Sequence, residues 1–408
     1  MSENQPETVP TSATKPAEAT APANSQEGAD ISKGTVHQPS QVLSDLAEKL
    51  GARHRHVVFL LGAGASCAAG LPDLAGLLTA VGRLLTGAHK SDFERLATGR
   101  NIEGVLTHLR LIAALGATHK IDGLDVSEAR ALDTAICRAI ASVISESEAV
   151  FEHHARFGRW LARNPHERPI ELFTTNYDLL IEKGLEQVGC PYFDGFVGIL
   201  EGRFRSDLVD GYDESVGLSA TQPPTSWARL WKLHGSVSWR ERESGGDTKA
   251  IVRTTADSAE ESLAIYPSFE KYQQSRRLPF VALSDRFRRS LAIPETFALI
   301  VGYSFGDEHI NELLFDAAQL HPATEVMCLF HGELPDSVVR RSLEIPNLVA
   351  IGRSEGIIGG VRARWADLDD DQLKFTAGDQ LLLGDFRVFT KTLIREEMVP
   401  EPSAPSSE

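Results

Sequence analysis

Six short apolar runs, each closed by a glycine or a small polar residue, constrain the fold of this chain more than any other feature. They are HVVFLLG (56–62), PIELFTT (169–175), RLWKLHG (229–235), TFALIVGYS (296–304), EVMCLFHG (325–332) and NLVAIG (347–352). A strand with one wet face alternates apolar and polar residues; most of these runs are apolar throughout, as parallel strands covered on both faces are. Helical spacing follows several of them, in LPDLAGLLTAVGRLL (71–85) and DEHINELLFDAAQ (307–319). Strand and helix in alternation predict an α/β fold, a Rossmann-like doubly wound parallel sheet.

Two stretches interrupt the alternation. Residues 75–165 read as wholly helical, with RALDTAICRAIASVISE (130–146) carrying apolar residues at helical spacing, and residues 200–290 are polar, irregular and glycine-containing. Both are expected to be insertions, a helical one and an irregular one, that form a lid or second lobe. Residues 1–36 and 396–408 are rich in Pro, Ser, Ala and Glu with little to bury, so they are expected to be disordered tails around a domain spanning 37–395. There are 41 Lys and Arg against 57 Asp and Glu, a net charge of -16, and no basic run. Direct nucleic-acid binding is therefore not expected. The four cysteines are scattered and form no C-x-x-C pair, no leader-like segment opens the chain, and no apolar run is long enough to span a membrane. A cytoplasmic protein fits these features.

The chemistry-bearing residues sit where the runs end. After the first run comes GAGAS, with Gly62, Ala63, Gly64 and Ser66 at a strand-to-helix turn. Glycines there let the backbone approach a ligand closely, and the following helix offers free amides to a pyrophosphate, although Gly-x-Gly turns also serve ordinary junctions and the full G-x-G-x-x-G spacing is absent. A second turn, GYSFGDEHIN, places Gly302 and Ser304 at a strand end and Asp307 where it can cap the next helix. Two such turns in one sheet suit the two halves of a dinucleotide held across a crevice. ELFTTNYDLL brings Asn176 and Asp178 to a third strand end, either as caps for the helix through LLIEKGLEQVG or as groups facing a ligand. In LWKLHGSVSW, His234 ends an apolar run; a lone buried histidine is usually a satisfied core residue, but its shared strand-end address points to the same cleft.

Four segments, GAGAS with GLPD, TTNYD, KLHGS and GYSFGDEHIN, occur in the order found in sirtuin-like proteins, and the chain resembles the bacterial sirtuin-like NAD hydrolases of antiphage defence over most of residues 55–330. FDGFVG (193–198) and IYPSFEKY (265–272) look most similar to the sirtuin-like subunit paired with a HerA-type hexameric ATPase. The resemblance implies that Gly62, Ala63, Gly64 and Ser66 approach the NAD diphosphate and ribose, that Asp73 and Thr175 also bind NAD, and that Gly302 and Ser304 hold the adenosine side. It implies Asn176 beside the nicotinamide ribose, Asp178 in the nicotinamide pocket and His234 as the catalytic histidine. In that role Asn176 offers both a donor and an acceptor to the ribose and water, and His234, with an unperturbed pKa near 6.5, is the expected base. NAD would be substrate, cleaved to nicotinamide and ADP-ribose. The partners implied are a HerA-type ATPase and a homo-oligomer, up to a ring such as a dodecamer. The chain departs from deacylase sirtuins in three ways. Residues 236–327 hold no cysteine, so no structural zinc is expected; Leu74 and Ala75 replace the Phe-Arg after Pro-Asp; and no Phe-Gly-Glu segment follows. The alternatives left open are an NAD-dependent deacylase or ADP-ribosyltransferase and a non-enzymatic sensor of NAD or ADP-ribose. Lys271 and Tyr272 are either ligand contacts or surface residues.

Overall fold

In a computed structural model of the chain, each of the six apolar runs contains a strand of one ten-stranded sheet. The structure describes residues 35–116, 119–145, 149–210, 223–243, 249–254, 263–265, 278–366, 376–377 and 380–394; residues 1–34 and 396–408 of the expected tails, and Lys271 and Tyr272, lie outside the described residues.

Four strands carry the site. Thr296–Val301, His56–Leu61, Glu171–Thr174 and Ala228–Lys232 lie side by side, all parallel, and their last residues form one row, with Val301 opposite Leu61, Leu61 opposite Thr174 and Thr174 opposite Lys232. Beyond Thr296–Val301 the parallel run continues through Glu325–Leu329 and Leu348–Ile351, then turns antiparallel through the hairpin strands Glu355–Ile358 and Val361–Trp365. The sheet is thus mostly parallel, and it ends at two-residue strands on both sides, Val36–His37 and Tyr192–Phe193. Val36, assigned by composition to the tail, is a strand residue.

From His56–Leu61 the chain builds outward on one side through Glu171–Thr174 and returns much later to add Thr296–Val301 on the other. The order reverses between these two neighbours, which opens a crevice at their carboxyl ends.

Alternation within each strand explains the double winding. Val57, Phe59 and Leu61 bury into one core with helices Pro39–Gly51, Glu152–Arg163, Leu180–Gln187 and Phe386–Ile394; Phe59 meets Phe157 edge-on with centroids 5.1 Å apart. Val58 and Leu60 bury into the opposite core with helices Phe280–Leu291, Glu308–Leu320 and Asp336–Glu344. At the amino end of the sheet, far along the strands from the site, buried Glu171 is held by Arg286, Trp231 (2.8 Å) and His56 (3.2 Å). Burial opposes its ionisation, but the Arg286 guanidinium and His56 hold its carboxyl well below the usual carboxylate range.

Helices Leu74–Leu84, Gly87–Ala97, Ile102–Leu115 and Val126–Ser145 share a separate core built on Val81, Phe93, Leu106, Leu109 and Ile136. They form a lobe of their own, whereas the next helix, Glu152–Arg163, packs on the sheet. The stretch 200–290 contains, besides the sheet strand Ala228–Lys232, four strands of a second, five-stranded sheet ordered Leu263–Ile265, Gly235–Glu243, Lys249–Thr254, Glu201–Phe204 and Phe196–Val197. Its regularity was hidden by the charged and polar residues that interrupt its strands, as in Gly235–Glu243 and Lys249–Thr254.

Candidate active site

The row of strand ends opens into a cleft of about 770 Å³, counting the open solvent at its mouth. Its walls include Ala63, Ser66, Asp73, Thr175, Asn176, Asp178, His234 and Ser304 from the expected set. Gly62, Gly64 and Gly302 are absent from those walls, and the structure gives them a different part. The Gly64 amide donates to the Gly302 carbonyl (2.8 Å) and the Gly62 amide to that of Val301 (3.0 Å). A Cβ on Gly62 would fall 2.5 Å from the Gly302 oxygen, and one on Gly302 would fall 2.6 Å from the Ala65 nitrogen. The two glycine turns pack backbone against backbone, so their missing side chains make room for each other. The non-glycine residues between and after them, Ala63, Ser66 and Ser304, are the ones that reach the cleft.

Asn176, Ser66 and Asp178 form one chain of hydrogen bonds. The single Ser66 hydroxyl proton goes to Asp178 Oδ2 (2.6 Å), so the Ser66 oxygen must accept from Asn176 Nδ2 (2.8 Å). Nδ2 also donates to the Gly62 carbonyl (2.9 Å), which uses both amide hydrogens. The carboxamide oxygen is the polar atom Asn176 has left for a ligand; donor and acceptor are not both free, as the sequence alone had allowed. Asp178 Oδ1 accepts from the Leu180 amide (2.9 Å), so this carboxylate serves the helix start and the cleft together. Behind it, the buried Lys232 ammonium contacts the Asp178 carbonyl and Glu182 (2.8 Å).

His234 lies between two carboxylates. Its Nε2 is 3.1 Å from Asp307 Oδ2, while the other oxygen of Asp307 caps helix Glu308–Leu320 at the amides of His309 and Ile310. Its Nδ1 is 3.6 Å from Glu103 Oε1, a contact too long for a hydrogen bond and hence electrostatic. Burial opposes charge on this fully enclosed ring, but Asp307 and Glu103 outweigh it and push its pKa up to about 9. The expected base, with an ordinary histidine's pKa, is instead an imidazolium at neutral pH. Burial likewise works against the Glu103 anion, yet His234 and the Tyr177 hydroxyl (2.9 Å) hold its carboxyl below the usual range.

Asp73, Glu103, Asp178 and Asp307 thus line one cleft together with a single imidazolium. Such a wall favours a ligand that carries or develops positive charge. Sequence reading had seen Asp307 only as a cap and had not found Glu103, Tyr177, Asn101 or Leu71, all of which line the cleft or its rim. Asp307 stands beside a glycine turn already marked and was within reach of that reasoning. Glu103 sits in the first turn of an ordinary helix, 131 residues before His234, and carries no local signal. Among the described residues, no group of three or more His, Cys, Asp and Glu is placed to hold a metal ion, and no helix is long and apolar enough to cross a membrane.

Residues 170–351 match the family model described as a SIR2-like domain, so this segment is sirtuin-like by sequence. The match contains Asn176, Asp178, His234, Gly302, Ser304 and Asp307; it leaves out the first glycine turn and the helical lobe. The structure of Sir2Tm bound to a propionylated peptide is similar at 14% identity and a TM-score of 0.34, over 72% of this chain and 89% of that one, a likeness too slight to speak to chemistry. No curated protein matches the chain.

Proposed function

We propose that this chain is an NAD glycohydrolase, cleaving NAD to nicotinamide and ADP-ribose. The observation that carries the reading is the meeting of Asn176, Asp178 and His234 in one cleft, at the switch point of a doubly wound sheet, among four carboxylates. The bond in question joins ribose to a cationic pyridinium, so the base leaves neutral and needs little protonation. Catalysis then rests on holding the ribose and stabilising an oxocarbenium-like transition state. The Asn176 carboxamide oxygen is free to accept from a ribose hydroxyl or the attacking water. The acidic wall stabilises the positive charge on the ribose as it develops. A proton leaving the water or a ribose hydroxyl can go to His234 only when that ring is neutral, so kcat/KM is expected to rise with pH toward about 9.

We place this reaction in antiphage defence in the cytoplasm, as NAD depletion by an oligomer working beside a HerA-type ATPase. The support for that setting is the sequence resemblance, including FDGFVG and IYPSFEKY.

The test is chromatography of NAD incubated with the purified chain, alone and with the ATPase, against Asn176→Ala and His234→Ala. Nicotinamide and ADP-ribose from the wild type and from neither variant would support the reading. Intact NAD in both settings, with NAD still bound, would replace it with the sensor reading. Products that appear only with an acyl-lysine peptide would make the chain a deacylase.

A further inference from the structure

The helical lobe does more than cover the cleft. Tyr177, between Asn176 and Asp178 in sequence, buries its ring in the core of the lobe rather than in either core of the sheet. Its hydroxyl donates to Glu103, and Glu103 faces His234. Glu103 itself is fixed by its own helix, Ile102–Leu115, whose first turn is capped by the Asn101 side chain accepting from the Gly104 amide (2.8 Å). The lobe therefore touches the reacting end of the sheet at two points that are themselves hydrogen-bonded to each other.

We propose that Glu103 is a positioning residue for the reaction: the lobe sets its carboxylate opposite Asp307, so that the imidazole of His234 is held between two carboxylates, by a hydrogen bond at Nε2 and by charge at Nδ1, and its orientation is fixed from outside the sheet. The inference rests on the hydrolase reading for its place in catalysis, but the grip itself is independent of that reading. Every element against the ring supports this arrangement. Asp307 comes from the start of Glu308–Leu320 and Glu103 from Ile102–Leu115, and the Tyr177 ring stands 6.4 Å away from the loop after Glu171–Thr174, its hydroxyl proton held by Glu103. The arginine of the Glu103 helix, Arg110, is tied to Asp133 (2.7 Å). Asp178 and Asp73 lie on the same cleft wall. Nδ1 is buried and makes no hydrogen bond among the described residues, and its charged neighbour at this end is the Glu103 carboxylate.

The experiment is an NMR titration of the 13C-labelled histidine rings in the full chain, with the His234 signal identified by its loss in His234→Ala. Removing the Glu103 charge in Glu103→Gln should lower the pH at which His234 titrates by at least about one unit, the smallest change expected for a charge at this range. Glu103→Asp should restore part of that displacement, and Tyr177→Phe, which keeps the aromatic packing, reports on the same contact if Glu103→Gln does not fold. An unchanged titration in the folded variants overturns the proposal. In NAD turnover, the acidic limb of the kcat/KM profile should move with the NMR midpoint. A shifted midpoint in a chain that never cleaves NAD leaves the grip standing and refutes the hydrolase reading instead.

Discussion

Replacing Gly302 with alanine tests the contact that builds the crevice. Gly302 has a φ of +67°, in the left-handed region, and a Cβ there would lie 2.6 Å from the Ala65 nitrogen and 2.9 Å from the carbonyl carbon and Cα of Gly64. The left-handed backbone alone disfavours alanine by about 1–2 kcal/mol. All the clashing atoms are backbone, so relief requires the two turns to part, which breaks the bond from the Gly64 amide to the Gly302 carbonyl; an unmade buried bond costs about 1–3 kcal/mol. Together these predict a loss of about 2–5 kcal/mol, read from urea unfolding with an unchanged slope. Two controls separate the contributions. Gly116 has a φ of +60° and nothing within 4 Å, so Gly116→Ala should show the backbone part alone. Gly306 meets only the Ser304 hydroxyl at 3.4 Å, so Gly306→Ala should stay within about 0.5 kcal/mol of wild type. If Gly302→Ala proves no less stable than Gly116→Ala, the turn-against-turn account of the glycines is refuted.

Stability should also depend on His234. Its folded pKa of about 9 lies above the ordinary 6.5, so its contribution is complete below pH 6.5 and is lost as pH rises through about 9. At 1.36 kcal/mol per pH unit that loss is about 3 kcal/mol, measured as the difference in alkaline destabilisation between wild type and His234→Gln. Ser66→Ala should remove the link between Asn176 and Asp178 and lower kcat more than it raises KM for NAD; unchanged kinetics would separate Ser66 from the machinery. Arg286→Ala leaves the buried Glu171 without its guanidinium and should destabilise the chain by about 3–5 kcal/mol. Because that cluster lies at the other end of the strands, NAD turnover by the folded fraction should be retained.

The fold was legible because the central strands of the large sheet are apolar on both faces, a pattern that Val57 to Leu61 and Thr296 to Val301 carry in plain sequence. The hairpin Glu355–Ile358 and Val361–Trp365 was not, since Glu355 pairs with Arg362 to leave charges along a strand. The second sheet was missed for the same reason, with Arg and Glu interrupting Gly235–Glu243 and Glu201–Phe204. Asn176, Asp178, Ser66 and His234 could be read from their strand-end addresses, because parallel register alone brings those ends into a row. Glu103 could not, because its place beside His234 depends on how a separate helical core docks on Tyr177. The charge state of His234 was likewise beyond sequence, being set by two carboxylates that arrive from distant segments.

The two-residue strands at the margins of the large sheet also bear on solution behaviour. A wide sheet with a long bare edge is a template for another chain, yet Val36–His37 and Tyr192–Phe193 present too few open amides to recruit one. Cutting the chain after His37 would uncover Arg364 and Trp365, the two residues of strand Val361–Trp365 that Val36–His37 pairs with, and lengthen the open edge there. The short leading strand thus shields one end of that edge, and a chain shortened past it is expected to self-associate more readily.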